Sequence, residues 1–521
     1  MKFAKTLLII SVTIFFVLLT IRTSTDFSQD LGRHLVLGKI ISETKEIPRT
    51  NMFSYTYPDF PFINHHWLSE VIFYQVQNNM GLDALLVMRN LALYIALAVC
   101  IYTAYQQGAK KEWIAYTVLI IAMAYAHRTF IRPELFGFVF FALLVWYLVQ
   151  LPERWQWYIA VPIILALWIN LHLTFVFGVF VALLIVLKTK FDTRGRIVFF
   201  GLGALLLNPW GLEGVLYPLS LFNNYGYAIA ENMPIHYMIG YSGSPWFWYL
   251  FVLVLLGFSF AVVAALKKKY PEAMLLAVVS MAALLQIRQS PFLCLASVAL
   301  LPVLLPTYRV PAISMIGSAV MTLLVSSMIL SGSFYSEFSM NGDFGWGFTS
   351  LHQGVIDKAK TTYLPGRIFN NFDDAGHVIY GLYPRKKVFV DNRPEAYPSS
   401  FFKDVYIPLQ ENEAMRKKVF KQYNIRTVIF TFSDQTEWSF SFLHSITKDT
   451  AWKLLYIDSS SVLLINDPTA VDIRKDIDWY KRVVNEAASE RDLIRLGLFF
   501  INTDNTEAVS YTQKMIAERY Q

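Results

Sequence analysis

Cysteine is almost absent from this chain. Cys100 and Cys294 are its only two, and both sit in apolar runs, so no disulfide framework or zinc motif can be built from them. Charge is scarce as well: 16% of residues, beside 55% hydrophobic and 16% aromatic, where a soluble globule carries about 25%. Three catalytic signatures are missing too, namely a glycine-rich phosphate loop, a Gly-x-Ser-x-Gly elbow and a His-Glu-x-x-His helix. Their absence argues against a cytosolic nucleotide enzyme or a standard protease. No low-complexity segment is evident.

What the chain has in quantity is uncharged apolar sequence. Windows near 7–21, 85–105, 113–126, 135–151, 156–169, 173–187, 197–208, 247–266, 272–287, 292–306 and 311–331 are almost free of charge. Several fall short of the ~20 residues that cross a hydrocarbon core unaided. The expectation is about 11 membrane helices, the short ones tilted or re-entrant. Lys2 and Lys5, Lys110 and Lys111, Arg154, Lys188 to Arg196, Lys267 to Lys269, and Arg309 then fall at alternate ends of the spans, all on one side. Positive charge marks that side as cytoplasmic. The N-terminus is therefore expected inside, on an uncleaved first span, because no small-x-small site precedes the polar stretch that follows. The net charge of +7 lies beside membrane segments and does not argue for nucleic acid.

Three segments follow from this patterning. Residues 1–331 read as a multi-spanning membrane domain whose first external loop is 22–81. Residues 332–470 read as a small extracytoplasmic α/β domain, with a strand then a turn over 366–373, strand-length apolar runs near 387–391, 427–432 and 461–465, and helices near 411–423 and 438–447. Residues 471–521 read as a C-terminal helical hairpin of the TPR type, too short to form an array.

The loop at 22–81 concentrates the ionisable groups: Asp26, Asp30, Arg33 and His34, then Asn64, His65, His66, Trp67 and Glu70. Asp30 and His34 are four apart, as are His66 and Glu70, so on helices each pair shares a face. Such pairs tune a general base or supply oxygen and nitrogen ligands to a divalent metal. They also occur on polar interfacial helices without either role. Trp67 is placed to stack on a sugar ring, although interfacial aromatics are common in any membrane protein. Arg128, Arg132 and Arg288 fall at the opposite, outer ends of the spans, where cations are few. A guanidinium fork suits phosphate there, and pairing with Glu134 is the plainer alternative. His172 lies at the same outer ends.

Several stretches resemble a known family. Asp30-Leu31-Gly32-Arg33-His34-Leu35-Val36-Leu37-Gly38, Ile47-Pro48, Phe53-Ser54-Tyr55-Thr56 and Asn64-His65-His66-Trp67-Leu68-Ser69-Glu70 are similar to the pattern D-x-D-x-W-W-H-L-x-x-G, I-P, F-S-Y-T, W-L-x-E. That pattern belongs to bacterial membrane proteins classed with the GT-C superfamily of polyprenyl-phosphate-sugar-dependent glycosyltransferases. Arg132-Pro133-Glu134, Asn170-Leu171-His172, Asn208-Pro209-Trp210-Gly211, Arg288 with Pro291-Phe292, and Val388 to Tyr397 extend the likeness over about 20–470. More loosely, Asn371 to His377 followed by Asp391-Asn392 resembles the W-W-D-Y-G region of the oligosaccharyltransferase catalytic subunit.

The resemblance implies a catalytic acid in the first external loop, a lipid-linked sugar as donor, and often a divalent cation such as Mg or Mn. Asp30 matches the second acid of the pattern. Ser28 stands in place of the first, and Gly32 and Arg33 replace the two tryptophans. The expected site is Asp30, His34, His66 and Glu70 for catalysis, with Asp30, His66 and Glu70 holding any metal. Arg128, Arg132 and Arg288 would take the donor phosphate, with Trp67 against the sugar and His172 beside the donor. Partners would be a polyprenyl-phosphate-linked sugar, a glycan, lipid or protein acceptor, and membrane lipids, in a bacterial cytoplasmic membrane with the C-terminal domain outside. A transporter or flippase, and a non-catalytic envelope-assembly protein, remain alternative readings of the same outward polar cavity.

Overall fold

The computed structural model describes residues 1–25, 27, 29–222, 225–305, 309–337, 342–349, 353–434 and 436–520. Asp26 and Ser28, which bear on the first acid of the family pattern, lie outside the described residues. The chain forms two units. The first comprises Met1–Ser24, His65–Asn223 and Ala228–Gly347; the second comprises Thr25–Asn64, Asn224–Tyr227 and Phe348–Gln521. The loop at 22–81 is thus shared between them.

The first unit is a bundle of apolar helices. Among the described residues, Lys2–Thr20, Asp83–Gln106, Pro245–Leu266, Ile287–Leu304 and Ala312–Leu330 are long and apolar enough to cross a membrane. Glu134–Gln150, Gln156–Leu171, Phe175–Lys188 and Tyr270–Leu285 are shorter apolar helices. The protein is an integral membrane protein. One window behaves differently from the rest: at 197–208 the helix Thr193–Gly201 gives way to a 3-10 turn at Leu202–Leu206. Nine residues rise only about 13 Å, less than half of a hydrocarbon core.

Basic residues tie helix ends together. Lys5 Nζ lies 2.9 Å from Glu112. Lys188 Nζ lies 2.6 Å from Glu272 and donates to the Leu148 carbonyl at 2.9 Å. Lys267 donates to the Leu304 carbonyl at 2.8 Å. These are ends that the lysine and arginine pattern groups on one side, and within the unit they meet. A lysine here satisfies carbonyls that a helix C-terminus leaves open.

The second unit is built on a four-stranded sheet in the order β1 (Arg367–Asn370), β2 (Ile425–Thr431), β4 (Ser461–Ile465), β3 (Lys453–Ile457). β1 and β2 are parallel; β2–β4 and β3–β4 are antiparallel. β4 is buried along its whole length, as a central strand covered on both faces must be. Helices Glu413–Tyr423 and Glu437–Lys448 lie close to their expected positions. Trp479–Glu486, Glu490–Asn502 and Thr506–Tyr520 close the chain, with Trp479 edge-on to Phe500 and Phe432 against Phe499. Half-buried Tyr227 packs its ring against Phe372, Phe402, Tyr406 and Trp438 of the same unit.

Two strand expectations change. Residues 387–391 are not a sheet strand. Val388 pairs in isolation with the 53–55 segment, donating to the Phe53 carbonyl and accepting from the Tyr55 amide, while the Phe389 amide goes to Asn370 Oδ1. Side-chain capture of that amide leaves it unavailable to a ladder. β3, conversely, is a strand that its mixed sequence Lys453-Leu454-Leu455-Tyr456-Ile457 does not announce.

Within this unit the helix Leu31–Thr44 crosses the helix Ala375–Leu382 at two glycines. A Cβ on Gly32 would lie 2.3 Å from the Gly376 carbonyl oxygen, and one on Gly376 would lie 1.9 Å from that of Gln29. Backbone faces backbone there, and no flexible side chain can yield. Gly376→Ala is expected to lower stability by about 1–3 kcal/mol through overpacking. Gly497→Ala, whose methyl meets Thr512 at an ordinary 3.7 Å, should hold or raise it through helix propensity. Thermal unfolding of both variants in detergent checks this; equal midpoints would remove the close crossing as a constraint.

Candidate functional site

Asp30 and His34 belong to the second unit. Asp30 is the residue before the helix Leu31–Thr44, and the His34 amide donates to its carbonyl at 3.0 Å. The Asp30 carboxylate is held from two directions: Oδ1 accepts from Arg33 Nη2 at 3.1 Å and from Asn392 Nδ2 at 2.8 Å. Arg33 Nε in turn donates to Asn392 Oδ1 at 3.1 Å, closing a ring of three side chains. Asn392 is aimed by its neighbours. Asp391 and Arg393 form a buried pair, Nη2 to Oδ2 at 2.5 Å and Nε to Oδ1 at 3.1 Å, and Arg393 also reaches Asn51 Oδ1 at 2.9 Å. The Arg393 guanidinium packs over the Phe62 and Phe53 rings at 4.5 and 5.4 Å. The Asp-Asn-Arg stretch therefore alternates roles, with its flanking residues anchoring the loop and its middle residue binding Asp30.

His66, Trp67, Glu70 and His172 belong to the first unit. His66 precedes the helix Trp67–Met80, and Glu70 is fully buried in its first turn. The His66 ring lies 3.8 Å from that of His65 and is stacked on His172 at 5.2 Å, while His65 faces Tyr217 at 5.1 Å. His172 Nδ1 is 2.8 Å from Thr174 Oγ1 and also accepts the Thr174 amide, which leaves the ring proton on Nε2. Asn170 explains the Asn-Leu-His motif. Its Oδ1 accepts the Trp67 indole N–H at 2.9 Å and its Nδ2 donates to the Leu207 carbonyl at 2.8 Å. Ser69 Oγ donates to the Leu171 carbonyl at 2.7 Å. Asn208 then holds the following turn, accepting the Trp210 amide and donating to the Leu205 and Gly211 carbonyls.

The three arginines converge in the same unit, and they do not stand alone. Arg128 lies 2.7 Å from Glu134 Oε1 and 3.1 Å from Glu231 Oε1; Arg132 lies 2.5 Å from Glu231 Oε2. Arg288 sits 3.4 Å from Glu134 Oε2 and donates to Asn232 Oδ1 at 3.1 Å. Phe130 lies beneath, with the Arg128, Arg132 and Arg22 guanidinium carbons 5.1, 5.2 and 5.8 Å from its ring centre. Fully buried Arg89 organises the backbone around it, donating to the carbonyls of Thr20, Arg22 and Thr129 and to Asn90 Oδ1. Burial alone would raise the Glu231 carboxyl; Arg128, Arg132 and Arg288 outweigh that and hold it well below the usual carboxylate range. The arginines were legible as a group. The counter-ion Glu231 and the acceptor Asn232, and the Asp30 partners Arg33 and Asn392, were not assigned roles: Glu231, Asn232 and Asn392 lie tens to hundreds of residues from the groups they meet, and nothing in a single sequence links such positions.

His66 and Glu70, one turn apart at a helix start, offer the nitrogen and carboxylate ligands that suit Mn better than Mg. Asp30 offers less, since its Oδ1 already accepts two N–H groups, one of them cationic.

Solved structures share this fold. The Archaeoglobus fulgidus oligosaccharyltransferase in its apo form aligns with a TM-score of 0.53 at 10% identity, over 90% of this chain and 75% of that one. AglB from the same organism, in complex with an inhibitory peptide and a dolichol-phosphate, aligns with 0.53 at 10% identity over 99% and 86%. ArnT from Cupriavidus metallidurans aligns with 0.51 at 11% identity over 89% and 97%. All are GT-C glycosyltransferases, and this chain has the GT-C fold. No protein-family model and no curated protein sequence matches it.

A depressed carboxyl stabilises the fold above its unfolded pKa, about 4.3 for glutamate, and that contribution is lost as pH falls toward the folded value. Wild type should therefore unfold at a higher temperature than Glu231→Gln at pH 7. The gap should hold down to about pH 5 and narrow between there and pH 3. Unfolding midpoints of the two proteins across that range decide it, and a gap indifferent to pH would mean that Glu231 is not paired as a carboxylate.

Proposed function

We propose that this protein is a membrane glycosyltransferase that moves a sugar from a polyprenyl-(di)phosphate-linked donor to an acceptor on the extracytoplasmic face, in a bacterial cytoplasmic membrane. The observation that carries the reading is a cluster of three guanidinium groups gathered at one place inside a GT-C fold. A related structure of that fold was solved with a dolichol-phosphate. Arg128, Arg132 and Arg288 are assigned to the donor phosphate, where planar forks match its oxygens. His172 and Trp67 are assigned to the donor's sugar side.

Asp30 is assigned to the acceptor. The acceptor oxygen bonds to the anomeric carbon, the anomeric bond to the phosphate oxygen breaks, and the acceptor proton passes to a carboxylate acting as general base. The lipid phosphate leaves with the bonding electron pair, and positive charge held in place stabilises it as that charge develops. The ring of Arg33, Asn392 and Asp30 serves this by fixing one carboxylate oxygen and leaving the orientation of the other defined. His34 supports Asp30 from the next turn. His66 and Glu70 would hold a divalent cation, whose chemistry is to offset negative charge on the donor phosphate.

In cells of the source organism lacking the native copy, surface glycans and lipid-linked sugars are profiled by mass spectrometry. The deletion should lose a glycan and accumulate a lipid-linked sugar, and wild type but not Asp30→Asn should reverse both at equal expression. Full restoration by Asp30→Asn would remove Asp30 from the chemistry. A deletion with unchanged glycans would favour the transporter or assembly reading.

A further inference from the structure

The two carboxylates of the arginine cluster are not equivalent. Glu134 begins the helix Glu134–Gln150 and is 4% exposed in its side chain. That position is fixed by the helix. Glu231 lies in the short turn Ala230–Asn232, which has no flanking helix closer than Ile235, and its side chain is 24% exposed. Its carboxylate bridges two guanidinium groups, one oxygen to Arg128 and the other to Arg132. Both cations also rest on the Phe130 ring. A carboxylate that spans two forks in this way makes the contacts that two oxygens of a phosphate would make.

We infer that Glu231 is an exchangeable internal anion, seated on Arg128 and Arg132 when the site is empty and displaced by the phosphate of the incoming donor. The inference rests on the assignment of these arginines to the donor phosphate. It adds that the empty site is occupied by the chain's own carboxylate, so that affinity for the donor is set by a competition.

The physical need for such an anion is direct. Arg128 is 3% exposed, and a buried guanidinium left without a counter-charge costs several kcal/mol. Something must therefore sit on it in the absence of donor, and Glu134 supplies one contact only. Withdrawing Glu231 removes one negative charge from the two forks it bridges, and a phosphate carrying one to two negative charges replaces it. The exchange keeps the charge of the cluster nearly the same in both states. Arg128 Nε, buried and donating to no acceptor among the described residues, supplies a further N–H that a phosphate oxygen can take and that Glu231 does not.

The competition sets a measurable size. If Glu231 occupies the arginines nine times in ten, the apparent affinity for phosphate is reduced about tenfold, and removing the charge restores it. Purified full-length protein in detergent is titrated with a polyprenyl monophosphate, and in parallel with the unphosphorylated polyprenol and with inorganic phosphate. Glu231→Gln should bind the polyprenyl monophosphate about tenfold more tightly than wild type, and Glu231→Asp should stay close to wild type. The unfolding midpoint of Glu231→Gln should be lower without ligand and should rise further on adding it, which confirms a folded protein. At equal fractional occupancy by lipid, inorganic phosphate should displace it from Glu231→Gln at about tenfold lower concentration than from wild type, identifying the phosphate itself as the competing group.

Equal or weaker binding by Glu231→Gln overturns the inference, because Glu231 then helps to build the site. In that event loss of binding in Arg132→Gln still upholds the donor assignment. Polyprenol binding as well as its phosphate, or no saturable binding by any of the proteins, overturns both.

Discussion

A guanidinium group removed from water has to meet an anion, and in this molecule that requirement organises the first unit. Arg128 closes the helix Lys111–His127, and meeting Glu134 brings in the start of the helix that follows. Meeting Glu231 brings in the turn Ala230–Asn232, and the contacts of Arg288 with Glu134 and Asn232 join the segment just before the buried helix Ser290–Leu304. Four separate stretches of sequence are thereby held to one place by charge. Arg89 does comparable work on the backbone, gathering carbonyls from the end of the first helix and from Thr129.

The second unit solves a related problem with backbone contact. Asn392 reaches both Asp30 Oδ1 and the Gln29 carbonyl, and it can do so because the helices beginning at Leu31 and Ala375 approach as closely as Gly32 and Gly376 permit. A side chain at either position would push Asp30 away from its partners. Arg33 then completes the ring from the first turn of its own helix. Position 32 is thus a steric requirement and position 33 an electrostatic one, so Gly32 and Arg33, two of the three departures from the resembled pattern, share a cause. Tryptophans there would neither fit against Gly376 nor pair with Asp30.

Much of this was legible in the sequence because it depends on local pattern. Apolar runs gave the membrane helices, the four-residue spacings singled out Asp30 with His34 and His66 with Glu70 as pairs on helix faces, and the arginines 128, 132 and 288 were recognisable from charge at the outer ends of spans. The strand at 453–457 escaped because its lysine and tyrosine break the apolar run that marked its neighbours. The run at 387–391 looked like a strand by composition, yet Asn370 takes the Phe389 amide. No propensity records that event. Counter-ions were the largest gap. Glu231 stands about a hundred residues from Arg132, and pairing at that distance is decided by how helices pack.

Burying charge is a poor way to stabilise a helical bundle. Replacing a buried ion pair with apolar side chains of similar volume is often neutral or favourable, and an apolar solution was available in a chain that is 55% hydrophobic. The two carboxylates named here are held differently: Glu134 is fixed by its helix and shared between Arg128 and Arg288, whereas Glu231 comes from a short turn. On the proposed reading that difference has a use, because a phosphate taking the place of Glu231 meets two forks already gathered on an aromatic ring.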